Sequence, residues 1–513
     1  MRESRKLLLA VGIGLALVTL FYAPRAIKEH GLAAYERRLR AQGEKLDIAE
    51  LIPVALPGSN GAFRLISAAN QLPSLWDHAP PVMRMIAPNR ALVAWNQPTL
   101  LSEKASNLWP MLEHDLAVNG PRLAQICDAL TNPIVQVDLP YNQGAACLLP
   151  HLAEFKGAAL DLSATTILLL HQRQPDQAWI PLLALARFPK VWRGEPFLIC
   201  QLVRAAITAI AVETVWEALE YPGWSDRQLA ELQKVWQSFS LTDALAPSLA
   251  MERAVGRQAV SRARDSRTEF DKLTSTGGGS PGIRLTLDSF LQNLVEDPAN
   301  ALAAPVFYRL WKWSWSYQEQ RWYDQVCQCA VQDARRVSAG ASFRQLRQWT
   351  ATEKSTLDHE CPRRPFYVLP RAFSQRDPEN MFLGYFRKIL RVETERQMVV
   401  AAIALERYRR QHGAWPATLD QLVPEFLPTV PRDCMDGRPL RYRLRPDGTF
   451  LLYSIGDNGQ DDGGDPTPTQ PMATPTWING RDWVWPQPAT PEQVAASQAR
   501  ARARRAAARP RPR

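Results

Sequence analysis

The chain has 513 residues, 46% of them hydrophobic and 22% charged, with seventeen tryptophans and forty-one prolines. That composition excludes a disordered chain and is too long for one ordinary core, so two to four folded units with proline-rich joints are expected. The net charge of +10 would point to polyanions, but the last fourteen residues carry seven arginines and no acid; without them the balance is +3, and the basic character belongs mainly to an appendage.

The first element is apolar. Leu7 to Ala23 follows Arg2, Arg5 and Lys6; seventeen helical residues rise about 26 Å, enough to cross a layer of about 30 Å when the flanking basic groups snorkel. The stretch ends in FYAPRA without a small-x-small cleavage site, so residues 1–23 are expected to be an uncleaved signal anchor. A short basic amino terminus places the bulk of the chain outside the cytoplasm, as a single-pass, periplasm-facing protein of the cell inner membrane. Arg25, Lys28, Arg37, Arg38 and Arg40 also load the far side, which leaves the orientation open.

Residues 24–150 are expected to hold a juxtamembrane basic amphipathic helix over 24–50, then short helices and loops in which prolines and glycines dominate. Residues 151–383 carry the strongest helical signal. Two apolar stripes broken near Pro175 and at Pro222-Gly223 predict helical hairpins, with Ser225 as an N-cap and Asp226 in the following first turn. Successive antiparallel pairs of this kind would stack as in tetratricopeptide-like solenoids. TSTGGGSPG, Thr274 to Gly282, is expected to be a flexible loop. After it, Tyr308, Trp311, Trp315, Trp322, Val326 and Cys329 recur at mostly helical spacing, as an aromatic helix buried on the bundle requires, while Trp313 lies off that stripe.

The seven cysteines, Cys127, Cys147, Cys200, Cys327, Cys329, Cys361 and Cys434, form no disulfide framework. Cys327 and Cys329 would point to different helix faces and lack the second cluster that zinc needs. No His-Glu-x-x-His, phosphate loop or Gly-x-Ser-x-Gly occurs. DHEC, Asp358 to Cys361, collects ligand atom types in what is expected to be a solvated loop.

Residues 384–488 form a distinct α+β module. Phe386, Leu390, Thr394, Met398, Ala401, Leu405 and Tyr408 predict one long helix from Gly384, ending before Gly413. AWPATLDQLVPEFLP restarts a short helix, and RPLRYRLRPDGTFLLYSIG predicts a hairpin turning at Pro446-Asp447-Gly448. Directly after it comes SIGDNGQDDGGD, Ser454 to Asp465, with four aspartates among four glycines.

Long helix, W-P-x-x-L-x-x-L, D-G-x-P-L-x-Y, hairpin and glycine-aspartate loop, in this order, resemble the globular head of the major pseudopilin of type II secretion. The likeness rests on ALERYRRQHGAWPATLDQLVPEFLPTVPRDCMDGRPLRYR and LLYSIGDNGQDDGGD and covers about a fifth of the chain. It implies a structural Ca2+ in the loop: Asp457 and Asp465 by motif position, Asp482 of GRDWVW as a later ligand, and Asp461 and Asp462 as additional candidates. The chemistry permits this, since calcium accepts six to eight oxygens at about 2.4 Å and glycines let carbonyls turn inward. The alternatives are a solvated acidic turn or a catalytic carboxylate pair, the latter lacking a low-dielectric pocket. The spacing is not that of an EF-hand. The chain departs from the pseudopilins in lacking a prepilin-peptidase site and in setting its apolar segment some 360 residues before the module. The helical middle is similar to uncharacterised membrane-anchored bacterial proteins.

Residues 489–513 are expected to be a disordered tail, whose Arg500, Arg502, Arg504, Arg505, Arg509, Arg511 and Arg513 offer a polyanion contact. The expected fold is mainly α: a transmembrane helix, a helical-hairpin body and a pseudopilin-like module. The expected function is that of a membrane-anchored extracytoplasmic interaction protein, not an enzyme, with secretion-system components among its protein partners. An envelope hydrolase and a polyanion binder are the alternatives.

Overall fold

The computed structural model describes residues 25–54, 60–72, 109–132, 135–191, 193–275, 307–360, 378–467, 480–486 and 499. The apolar segment Leu7 to Ala23, most of the glycine-rich loop and the arginines of the tail lie outside them. What is described is mainly helical.

The chain enters on α1 (25–41) and turns at Gly43, whose φ of +82° suits glycine. A short α2 (Ile48–Leu51) follows, so the helix expected over 24–50 is two pieces with a turn between them. After α3 (Ala62–Ala69) comes α4 (Trp109–Ala129), a long helix in a region expected to hold only short ones. Pro121 sits inside it, yet Leu112, Leu116, Leu123 and Ile126 share one buried face.

α5 (His151–His171) and α6 (Pro175–Val191) are the pair expected around Pro175. Arg173 closes α5 with φ +60°, and the Gln174 N–H reaches back to the Leu169 carbonyl at 2.8 Å, freeing Pro175 to start the next helix. α7 (Leu198–Leu219) and α8 (Asp226–Gln237) follow, joined across Pro222-Gly223; they do not pack as the expected hairpin, because α8 lies against α6 and the later helix 378–412 instead of α7. Ser225 caps α8 as expected: its backbone N–H donates to Gln228 Oε1 at 2.9 Å, while its Oγ accepts from the Gln228 N–H at 3.3 Å.

α7 is long and apolar enough to cross a membrane by length and composition, with mean hydropathy 1.7. In this fold it is a core helix, packed by α5, α6 and α9 (Leu245–Asp265). Each nitrogen of its buried Arg204 has a partner inside: Nε donates to the Pro189 carbonyl at 2.7 Å, Nη1 to Gln201 Oε1 at 3.2 Å and Nη2 to the Ser240 carbonyl at 2.9 Å. Burial brings that guanidinium down to about 10.

α10 (Arg267–Ser275) follows α9. A helical turn at 307–310 then passes through a π-helical turn, Trp311–Trp315, into α11 (Ser316–Ser338). Trp311, Trp322 and Val326 are buried, and Tyr308, Trp315 and Cys329 half-buried, so the aromatic stripe packs on the bundle. Its main neighbour is α9, across Gly256: a Cβ there would lie 2.3 Å from the Tyr323 ring. Beside this close approach Arg257 pairs with Glu36 of α1 at 2.9 Å and with buried Asp324, while Arg253 meets Glu44 at 3.4 Å. These ion pairs bind the first described helix to the body.

α12 (Phe343–Glu360) carries Asp358 to Glu360 in its last turn. That stretch is therefore helix, not loop, because the pattern of α12 runs on to Leu357, which is buried. Cys361 lies outside the described residues. α13 (Pro378–His412) begins six residues before Gly384 and ends at Gly413, which has φ +77°. It packs against α7, α8 and α12, so neighbours in space are not only neighbours in sequence.

The carboxy-terminal strands form one sheet of three: β1 (Arg441–Leu444), β2 (Phe450–Ser454) and the short β3 (Trp483–Val484), all antiparallel. The expected hairpin is present in the register Leu444↔Phe450, with Gly448 at φ +80° in its turn. β3 is an addition that the sequence pattern did not announce. β2 is buried along its whole length, and one core cluster runs from Ile48 through α5 to α8 and α13 to Trp485. Hydrogen bonds cross the same junction: Trp216 Nε1 to the Pro486 carbonyl at 3.0 Å and Gln233 Nε2 to the Phe426 carbonyl at 2.6 Å.

Candidate functional site

The acidic loop leaves β2 at Ser454, where the apolar run Phe450 to Tyr453 ends. Gly456 turns it with φ +62°; a Cβ there would meet the Arg481 carbonyl at 2.9 Å. Gly459, Gly463 and Gly464 also have positive φ, so the glycines set the loop's path. The carboxylates then divide into an inner and an outer set.

Two inner aspartates hold the loop from beneath. Asp482, fully buried, accepts from the Gly464 N–H at 2.7 Å, the Asp465 N–H at 3.2 Å and the Asp462 N–H at 3.4 Å. Burial raises its pKa against the pull of those three donors. Asp433, also fully buried, accepts from Ser454 Oγ at 2.9 Å, the Ile455 N–H at 3.0 Å and the Met435 N–H at 2.9 Å. Arg441 binds the set together, reaching Asp433 at 3.1 Å, Asp436 at 2.5 Å and Asp461 at 3.5 Å.

The outer aspartates face solvent and different partners. Asp461 is exposed and accepts from Tyr453 Oη at 2.9 Å and the Gly463 N–H at 3.1 Å. Burial would lift its carboxyl, but these donors and Arg441 hold it below the ordinary range. Asp462 accepts from Asn458 Nδ2 at 2.6 Å. Asp465, held low by Thr467, accepts the Thr467 N–H at 2.9 Å and lies 3.7 Å from Arg481 Nε. Asp457 turns the other way, towards Arg387 of α13 at 3.9 Å, and burial raises its pKa. Its Oδ1 is buried without a hydrogen-bond partner. Arg344 of α12 donates to the Gly459 carbonyl.

The five residues named from sequence, Asp457, Asp461, Asp462, Asp465 and Asp482, are therefore on one loop and its closing strand, but they do not converge. Among the described residues no group of three or more His, Cys, Asp or Glu side chains is arranged around a metal position. As a fit to calcium the arrangement is partial: Asp461, Asp462 and Asp465 offer outward oxygens, whereas Asp482 is occupied by backbone donors and Asp457 faces guanidinium groups.

Sequence reasoning missed Asp433 and Arg441. Their signal was available: Asp433 and Asp436 sit three apart in PRDCMDGRP, just before a strand that begins with arginine.

Elsewhere, a cleft between α11, α12 and α13 is lined by Val326, Leu357, Phe382 and Phe386, with Asp333 and Glu353 at its edge; its interior of about 30 Å³ has room for about two waters. Arg336 Nη1 lies 2.9 Å from both carboxylates, so one guanidinium is shared between two acids, and burial with the nearby Glu353 pushes Asp333 up to about 7. The described histidines do not join these acids: His151 is buried and His171 half-buried at the two ends of α5, and His30, His114, His359 and His412 are exposed on separate helices.

No protein-family model matches the chain, and no curated protein and no solved structure matches it.

Proposed function

We propose that this is a single-pass, membrane-anchored protein with its bulk outside the cytoplasm, and that it works by binding other proteins. Its contact surface is the acidic loop of the carboxy-terminal module, and the resemblance of that module to the pseudopilin head makes components of a type II secretion system the first partners to test. The observation that supports this reading best is the division of the loop's carboxylates. Asp433 and Asp482 fix the loop's shape from the buried side, while Asp461 is exposed and Asp462 and Asp465 half-exposed. A rigid, outward acidic surface suits recognition of a basic partner.

Calcium enters the proposal through the resemblance, with Asp461, Asp462 and Asp465 as the carboxylates that would exchange their present partners, Tyr453 and Arg441, Asn458, and Thr467 and Arg481, for the ion. In that role the ion reinforces a loop whose path protein groups already set. A calcium titration of the full chain followed by thermal unfolding tests it: a saturable rise in Tm that is lost in Asp461→Asn/Asp465→Asn supports the ion, and an unchanged Tm removes calcium from the account. The polyanion contact of the arginine tail is the remaining part of the proposal, tested by the salt dependence of binding to a polyphosphate, which is steep for seven arginines.

A further inference from the structure

We infer that the π-helical turn Trp311–Trp315 and the first turn of α1 form one basic, aromatic foot that sits in the headgroup layer of an anionic phospholipid bilayer. The inference rests on the membrane-anchored reading and deepens it.

The Arg25 guanidinium stacks over the Trp313 ring at 4.3 Å and lies 5.9 Å from the Tyr317 ring, while Lys28 Nζ donates to Ser314 Oγ at 3.0 Å. These contacts fix the turn at the level of the first residues of α1. The apolar segment ends at Ala23, two residues earlier. Two residues of chain reach at most about 7 Å, so a span that ends at Ala23 puts Arg25, and Trp313 with it, at the bilayer boundary.

Composition agrees with that depth. Ile27 of α1 is 72% exposed and Leu310, just before the π-helical turn, is 37% exposed, while Trp313 and Trp315 are half-buried. Around them Arg309 and Lys312 are exposed. Of the acids on this end, Glu29 lies 3.5 Å from Arg25, Asp271 is paired with Arg267 at 2.8 Å, Glu269 with Lys272 at 2.6 Å, and Glu319 accepts from Trp311 Nε1 at 2.6 Å inside the bundle, while Asp265 is exposed. Exposed Arg309 and Lys312 outnumber it, so the outward balance is positive. Amphipathic rings beside lysine and arginine are the composition that membrane interfaces favour, and each basic group near an anionic surface favours contact about fivefold.

The test uses the full chain reconstituted in nanodiscs of zwitterionic lipid alone or with anionic lipid, with bromine on the acyl chains near the headgroups to quench nearby tryptophans. The expected result is a quenched fraction that falls at least twofold in Trp313→Phe. Lys312→Glu, an exposed substitution that leaves the fold intact, is expected to lower quenching in anionic discs and not in zwitterionic ones. If the protein enters discs but both variants quench like the wild type, the foot stands off the membrane and the inference is overturned while the anchor stands. If Trp313→Phe instead loses retention on an immobilised glycan with quenching unchanged, the turn binds sugar and the inference is likewise overturned. If the protein does not enter discs at all, the anchor itself fails and the foot fails with it.

Discussion

Asp482 shows how one side chain can close a loop. It lies well beyond the end of the loop, just before β3, yet it receives three backbone N–H groups from residues 462 to 465. Truncation leaves those donors without an acceptor at about 1 to 3 kcal/mol for each fully buried one, less for the half-exposed. Asp482→Ala is expected to lower stability by about 2 to 4 kcal/mol in urea unfolding, whereas Asp465→Asn, on the outside, should change it by less than about 0.5 kcal/mol. Equal effects would show that the inner and outer sets are not distinct. Arg441 gives a second case. It stands against Asp433 and Asp436, both nearly inaccessible, so Arg441→Met leaves two buried charges unpaired, at about 3 to 5 kcal/mol. That loss should shrink as pH falls towards 4, because protonation of the two carboxyls removes the unpaired charge; a loss independent of pH would mean that packing, not charge, is what Arg441 supplies.

Elements were legible where period and punctuation agree. Ser225 and Asp226, the break at Pro175, and the long helix ending at Gly413 all follow from caps, prolines and a 3.6-residue stripe, and all are present. α4 was hidden because Pro110 and Pro121 punctuate a stripe that nevertheless continues. The separation of inner from outer aspartates was hidden because it depends on β3, two residues long, and on Asp433, which only the hairpin's register brings to Ser454. A close approach between helices was hidden too. Gly256 on α9 admits the Tyr323 ring of α11, a fit that neither stripe announces. Gly256→Ala is expected to cost about 1 to 3 kcal/mol by forcing α9 and α11 apart, while Ala at Gly384, where nothing lies within 4 Å, should be neutral or stabilising, as it replaces glycine inside a helix. Indistinguishable Tm values for the two variants would contradict the close packing.

At the scale of the whole molecule, the structure buries many ionisable groups inside a mainly helical body. Burial pushes Asp161, Glu195, Glu252, Asp324, Asp333 and Glu395 up to about 7. Between about pH 4 and 7 the folded state therefore holds protons that the unfolded chain has released, and stability falls as pH rises through that window. His151, brought down to about 4 by burial, works the other way below its ordinary value, but it is one group against six. Tm is expected to be higher by several degrees at pH 5.5 than at pH 7.5; a lower value at pH 5.5 would show that these carboxyls are solvated. The same compactness bears on function. The carboxy-terminal module shares its core with the body through α13, Trp216 and Gln233, so the acidic loop is held on a large rigid mount, as a recognition surface needs.

The most direct measurement is affinity purification of the tagged full chain from solubilised membranes, beside Asp461→Asn/Asp462→Asn, which blunts the outer surface while Asp433 and Asp482 still hold the loop. The account predicts that the wild type recovers a stoichiometric protein partner, secretion-system components being the first to look for, and that the double variant loses it with Tm unchanged. Recovery of the same proteins by both chains, or of no stoichiometric partner by the wild type, would contradict it.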